Sequence, residues 1–140
     1  MDKKNEHIII QQFARLYHEW PKGKLQAGES PDFILKINTR KSIGIELTEL
    51  KGQDFINHTG GLLNPTNIFA YLKETITAKN EKLVLYRRKK LYRIWLLIHV
   101  EQLTQNVNFN FQNKLENRLF HSDFDRVFLL EMRNERLFEL

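Results

Sequence analysis

The 140-residue sequence predicts a mixed α/β layer fold, a central β-sheet flanked by helices. Three observations carry that expectation. Apolar residues recur at helical spacing near the N-terminus and again after Asn64-Pro65. Two short runs rich in Ile, Leu and Phe flank the turn "NTRK", and "YRIWLLIHV" (Tyr92 to Val100) is a nearly continuous apolar run of strand length. The length suits one domain over 1–140 with one core. A hydrophobic content of 41%, with ten Phe and two Trp, is ample for a packed interior and argues against disorder.

The first helix is predicted from Asn5 to Trp20, where Ile9, Ile10, Phe13, Leu16, Tyr17 and Trp20 fall on one side. Asn5 or Asp2 is its candidate cap, and Pro21 with Gly23 ends it. A turn-rich stretch from Pro21 to Ser30 then leads to Pro31. Asp32–Ile37 and Ser42–Thr48 are the two strands of a hairpin. "KGQDFINHTGGLLNP" reads as a loop with paired Gly60 and Gly61. Asn64 as cap and Pro65 in the first turn start a long helix that runs to about Tyr86. Tyr92–Val100 suits a central strand buried on both faces, parallel to its predecessor across the helical crossover. Phe111 to Phe120 is a short helix with Leu115 and Leu119 on one side. "DRVFLLEM" is a further strand, and "RNERLFEL" returns as an edge strand or leaves as a tail. The order is helix, strand, strand, long helix, strand, helix, strand, with no repeat or low-complexity tract.

Composition narrows the chemistry. With no cysteine, disulfides and thiolate zinc sites are excluded, and the five His lack metal-binding spacing. No apolar run approaches the roughly 18 residues that span a bilayer, and the apolar patch in "MDKKNEHIII" is too short for a signal peptide. A soluble cytoplasmic protein without membrane contact is the default expectation. The net charge of +5 tilts toward a polyanionic partner. No Gly-rich phosphate loop, serine nucleophile elbow or dinucleotide fingerprint is present.

The hairpin "ESPDFILKINTRKSIGIELTEL" holds the informative feature. Strand side chains alternate faces, so Gly44, Glu46 and Thr48 share one face while Ile45, Leu47 and Glu49 share the other. Asp32 shares a face with Ile34 and Lys36. If the two polar faces coincide, Asp32 and Glu46 converge, and two like charges so close need a cation between them. Mg²⁺ suits such a pair, and the Leu47 carbonyl would add an oxygen. A solvated sheet face with two unrelated acids is the other reading.

"PDF" on one strand and "IGIELTEL" on the next resemble the PD-(D/E)XK nuclease superfamily, whose pattern is Pro-Asp followed by Asp/Glu-x-Lys. The element order, from about Glu6 to Val100, is similar as well. The resemblance implies a restriction-endonuclease-like core of α-β-β-α-β order, with a further helix and strand toward the C-terminus. It also implies a hydrolase in which Asp32 and Glu46 bind Mg²⁺ or Mn²⁺ for phosphodiester cleavage, DNA being favoured over RNA and a homodimer being one arrangement. Thr48 stands where the family carries its lysine. Lys79 falls inside the stripe of Ile68, Leu72, Ile76, Leu83 and Tyr86, and either snorkels to the helix edge or replaces the motif lysine, as in some superfamily members. Lys82 is the weaker choice. Glu6, on the stripe of the first helix, either complements the helix dipole or joins the metal site, as a Glu does in the similar archaeal-type Holliday junction resolvases. Glu19 lies off that stripe, and Glu29 is either at the site mouth or in a turn.

"YRRKKLYR" offers Arg87, Arg88, Lys89 and Lys90 to a phosphate backbone, with tyrosines for stacking, or else is a solvated helix end. His99, inside an apolar strand, is expected in the core, and His58 beside the glycines is assigned no role. A metal-dependent nuclease leads these readings. A nuclease-like scaffold that has lost activity and binds nucleic acid or a protein is the alternative, followed by an α/β interaction domain with accidental acids.

Overall fold

The computed structural model describes residues 3–50, 65–88, 91–102 and 122–140, side chains of residues 65–69 excepted. Within them lie three helices, α1 (Lys3–Leu16), α2 (Pro65–Asn80) and α3 (Leu83–Arg87). Six strands accompany them: β1 (Lys24–Ala27), β2 (Phe33–Lys36), β3 (Ser42–Glu49), β4 (Arg93–Val100), β5 (Arg126–Glu131) and β6 (Arg136–Glu139). The strands form one sheet in chain order, β1 to β6. The inner pairs β3–β4 and β4–β5 are parallel, while β1–β2, β2–β3 and β5–β6 are antiparallel. The sequence-based expectation of a mixed sheet with β4 parallel to β3 therefore holds.

Alternation along the strands makes two cores. Ile43, Ile45 and Leu47 of β3 and Trp95 and Leu97 of β4 face α1, joined by Phe33, Leu35, Phe128 and Leu130. Into this face α1 buries Ile9, Ile10 and Phe13, and Phe13 packs on Phe128 with ring centroids 4.9 Å apart. Burying side chains of this size stabilises by about 1.5–3 kcal/mol each. The opposite face, built on Ile94, Leu96, Ile98 and Val100, takes Leu72 and Ile76 of α2 and Leu83 and Tyr86 of α3. A strand covered on both faces needs apolar residues at every position, which is why β4 reads as an unbroken run.

Several boundaries differ from the sequence expectation. The first helix stops at Leu16 rather than Trp20, although the Tyr17 and Trp20 amides still bond back to Phe13 and Tyr17 carbonyls. Asn5 lies inside that helix and is not its cap. The stretch expected to be only turns contains β1, which pairs with β2 as Lys24↔Lys36 through Ala27↔Phe33. The long helix is broken after Asn80. Asn weakens a helix interior because its amide competes for local hydrogen bonds, and here Asn80 Oδ1 accepts from Ser122 Oγ at 3.3 Å. The C-terminal "RNERLFEL" returns as edge strand β6 after a turn in which Glu135 has φ 53°.

"NTRK" closes the β2–β3 hairpin as expected: Asn38 Oδ1 accepts from the Arg40 and Lys41 amides at 2.8 and 2.9 Å, pinning an Asx turn. The loop with His58, Gly60 and Gly61, the Asn64 cap, the Ile68 side chain, Lys89, Lys90 and the expected helix from Phe111 to Phe120 lie outside the described residues. Among the described residues no helix is long and apolar enough to cross a membrane.

Candidate active site

Asp32 immediately precedes β2, and the register Phe33↔Ile45 continued by one residue sets Asp32 opposite Glu46. Both side chains leave the face covered by α2, opposite the apolar Phe33, Ile45 and Leu47. Glu46 is buried at 4% exposure. The Leu47 amide donates to Asp32 Oδ2 at 2.8 Å, which fixes that carboxyl across the edge of the hairpin. Asp32 also hydrogen-bonds to Glu46. Burial, then the bond to Glu46, pushes the Asp32 pKa up to about 7, against the pull of the Leu47 amide.

Two side chains from the helical layer converge on the same oxygen of Glu46. Lys79, in the last turn of α2, sets its Nζ 3.4 Å from Glu46 Oε2, with 20% of its side chain exposed. The Tyr86 hydroxyl, from α3, donates a short hydrogen bond to that oxygen. Burial first, and then the Glu46 contact, drives the Tyr86 pKa upward, so this phenol keeps its proton and remains a donor. Tyr86 faces inward here while Val84 and Leu85 stay exposed.

These groups border a cavity of about 560 Å³, lined by Glu6, Glu29, Asp32, Glu46, Leu47, Thr48, Glu49, Leu50, Lys79 and Lys82. Glu6 reaches it from the first turn of α1 and is buried. Its Oε2 lies 3.3 Å from Lys3 Nζ, yet among the described residues it meets no partner in hydrogen-bond geometry. Thr48, two residues beyond Glu46 on the same face, brings a hydroxyl to the wall. Glu29 and Lys82 stand at its rim as exposed groups. The five residues singled out for catalysis from the sequence, Asp32, Glu46, Lys79, Thr48 and Glu6, thus share one cavity. Leu47 meets it through its backbone, its side chain being in the α1-side core. Among the described residues, no group of three or more His, Asp or Glu is arranged to hold an ion by itself.

Other expectations divide. Glu19 is off the site, exposed and 4.0 Å from Arg126. Arg87 and Arg88 are exposed at the end of α3. The two tyrosines of that basic run differ: Tyr86 is buried on Glu46 and offers no stacking face, whereas Tyr92 is 45% exposed. Lys41 and Arg93 lie over the Tyr92 ring at 4.9 and 4.5 Å. His99 is in the core as expected, where burial lowers its pKa to about 4. Tyr86 is the site residue that pattern reading missed as such. Its place seven residues after Lys79, on the same helical face, was the available signal.

The chain matches no known family model, no curated protein and no solved structure.

Proposed function

We propose that this chain is a divalent-metal-dependent nuclease with a restriction-endonuclease-like core, hydrolysing phosphodiester bonds in DNA or RNA. The observation that carries the reading is Lys79. It comes from a different element than the motif lysine would, yet stands 3.4 Å from Glu46 in the cavity that Asp32 and Thr48 also line.

The donor set fits Mg²⁺ or Mn²⁺. Both are hard ions that take one or two carboxylates and complete their shell with carbonyl, water and phosphate oxygens. Asp32 and Glu46 supply the carboxylates. The Leu47 carbonyl leaves β3 by the same edge as its amide, which already meets Asp32, because both groups of a strand residue point one way. Tyr86 and Lys79 both meet Oε2 of Glu46 and hold in place the carboxylate that would bind the ion. A carboxyl pair that holds a proton up to about pH 7 is one whose charge a cation would satisfy. When bound, the ion activates water and neutralises charge on the phosphate.

The chain's own groups do the rest. Lys79 brings a positive charge toward a phosphate oxygen, Thr48 adds a hydrogen-bond donor, and Glu6 adds an acceptor facing the cavity. Tyr86 fixes the rotamer of Glu46. Arg87 and Arg88, exposed at the end of α3, and the exposed Tyr92 just before β4 offer cations and a ring to the backbone of a bound strand.

A cleavage assay with Mg²⁺ or Mn²⁺ on single-stranded, duplex and branched DNA and on RNA tests this. The expected result is metal-dependent cleavage, abolished by chelation and lowered at least ~100-fold by Asp32→Ala, a loss typical of removing one preorganised charged group. One observation favours the second reading, an inactive scaffold that binds nucleic acid or a protein: the motif position itself holds Thr48, without a charge. Retained nucleic-acid binding with no cleavage under any metal would select it.

A further inference from the structure

A second cavity, of about 320 Å³, lies on the other side of the α1 N-terminus. It is lined by Asn5, Ile8, Ile9, Glu49, His99, Glu101 and Met132. Glu49 borders this cavity and the first, so the two adjoin. Glu49 and His99 are cross-strand partners at the ends of β3 and β4, on the face toward α1. Strands are about 4.8 Å apart, so a carboxylate and an imidazole stand side by side on one wall. The imidazole is 2% exposed, and its Nε2 has no hydrogen-bond partner among the described residues. A buried polar atom left unpaired destabilises the fold, and a ligand that pairs it recovers that cost. The rest of the wall is mixed: Asn5 and Glu101 are polar, Ile8 is 53% exposed, Ile9 is buried, and Met132, unbranched and pliant, can yield to let a ring reach the imidazole.

We propose that this cavity binds a nucleobase carrying an exocyclic amine, with Glu49 accepting from the amine and the His99 imidazole meeting the adjacent ring atom. The inference rests on the nuclease reading for its substrate class: a nucleotide whose phosphate lies at Asp32 and Glu46 has its base within reach of a cavity that shares Glu49. The chemistry selects among bases. A carboxylate has acceptors alone, so it pairs with the amine of cytosine, adenine or guanine and opposes the carbonyl of uracil or thymine. An imidazole kept neutral by burial carries one N–H and one acceptor nitrogen, and so meets a ring nitrogen without adding charge. The two acids on the wall, Glu49 and Glu101, also keep phosphate out, so the base rather than the backbone enters here.

The test uses free nucleosides without metal, so that it stands apart from cleavage. The full chain, labelled with ¹⁵N at histidine, is titrated with cytidine and with uridine, which share size and sugar but differ at this edge. Cytidine should shift the His99 ring nitrogens, with affinity roughly 10-fold or more above that of uridine, in line with one good base contact. Glu49→Gln, at an exposed position that leaves the fold intact, should remove most of that preference. Equal response to both nucleosides, no response at His99, or an equal response to butylamine, which would mark a simple cation site, each overturns the proposal. A chain that cleaves nucleic acid while His99 ignores cytidine keeps the nuclease reading and loses this one. Cytidine selectivity in a chain that does not cleave does the reverse.

Discussion

A lysine at position 48 would leave β3 on the same face as Glu46, two residues along the strand. Lys79 instead arrives from α2, and its ammonium meets the carboxylate at 3.4 Å from above the sheet. In the nuclease proposed above, the charge is kept while the backbone that carries it changes. Lys79→Met should therefore lower metal-dependent cleavage about 100-fold, the scale of one lost electrostatic contact in a preorganised site. Thermal unfolding should move little, because Glu46 keeps its bond from Tyr86. Thr48→Lys on that background should restore part of the rate, since the new ammonium leaves the same face of β3. Single-turnover rates and melting curves for the wild type and both variants check this; an unchanged rate in Lys79→Met would remove the lysine from the mechanism.

At the scale of elements, the hairpin is held by close approach. A Cβ on Gly44 would come within 2.6 Å of Leu91 Cδ1 and 2.8 Å of Pro31 Cγ. Leu91 can rotate away, but the Pro31 ring cannot, and Asp32 is the next residue. Gly44→Ala should cost about 1–3 kcal/mol as overpacking. It should also weaken Mn²⁺ binding beyond what the stability loss explains, because Pro31 must shift and carry Asp32 with it. Urea denaturation and Mn²⁺ titration of the same preparation separate the two effects. The hairpin was also the most legible element: its acids, apolar alternation and Asn38 turn all stand in the letters. β1 was not legible, because Lys24–Ala27 has a single large apolar side chain, and pairing with β2 rather than propensity makes it a strand. The break after Asn80 was hidden for a different reason. Leu72, Ile76, Leu83 and Tyr86 keep helical spacing across it, so periodicity alone sees one helix. Convergence of Asp32, Glu46 and Lys79 could be anticipated from alternation and the helical stripe. The place of Tyr86 on that stripe was legible, but its bond to Glu46 and the cavity under α1 were not, as both depend on how the layers pack.

For the molecule as a whole, a half-buried group, Asp32, and a buried one, His99, give stability opposite slopes with pH. Asp32 has its folded pKa raised to about 7, so its favourable contribution is full at low pH and fades as pH rises from about 4 through 7. His99 has its folded pKa lowered to about 4, so its contribution is full above about 6.5 and is lost as pH falls toward 4. The two partly cancel between these limits. Asp32→Asn removes one slope. Measured by urea denaturation in chelator, its stability gain over wild type should grow from pH 4 to pH 7 and then level off. A constant difference across that range would mean that Asp32 is not held protonated by the fold. Added Mn²⁺ should favour the wild type increasingly over the same range, since the ion competes with the proton.

The oxygen of Glu46 that receives both Lys79 and Tyr86 ties the centre of the sheet to two separate helices. Neither helix is continuous in sequence with the acids it serves, so the arrangement exists only while the helical layer is seated. A partial lifting of α2 and α3 would leave the six strands paired and yet disarm the centre. Loss of chemistry would then run ahead of loss of structure on warming, and the protein would fall silent before it came apart.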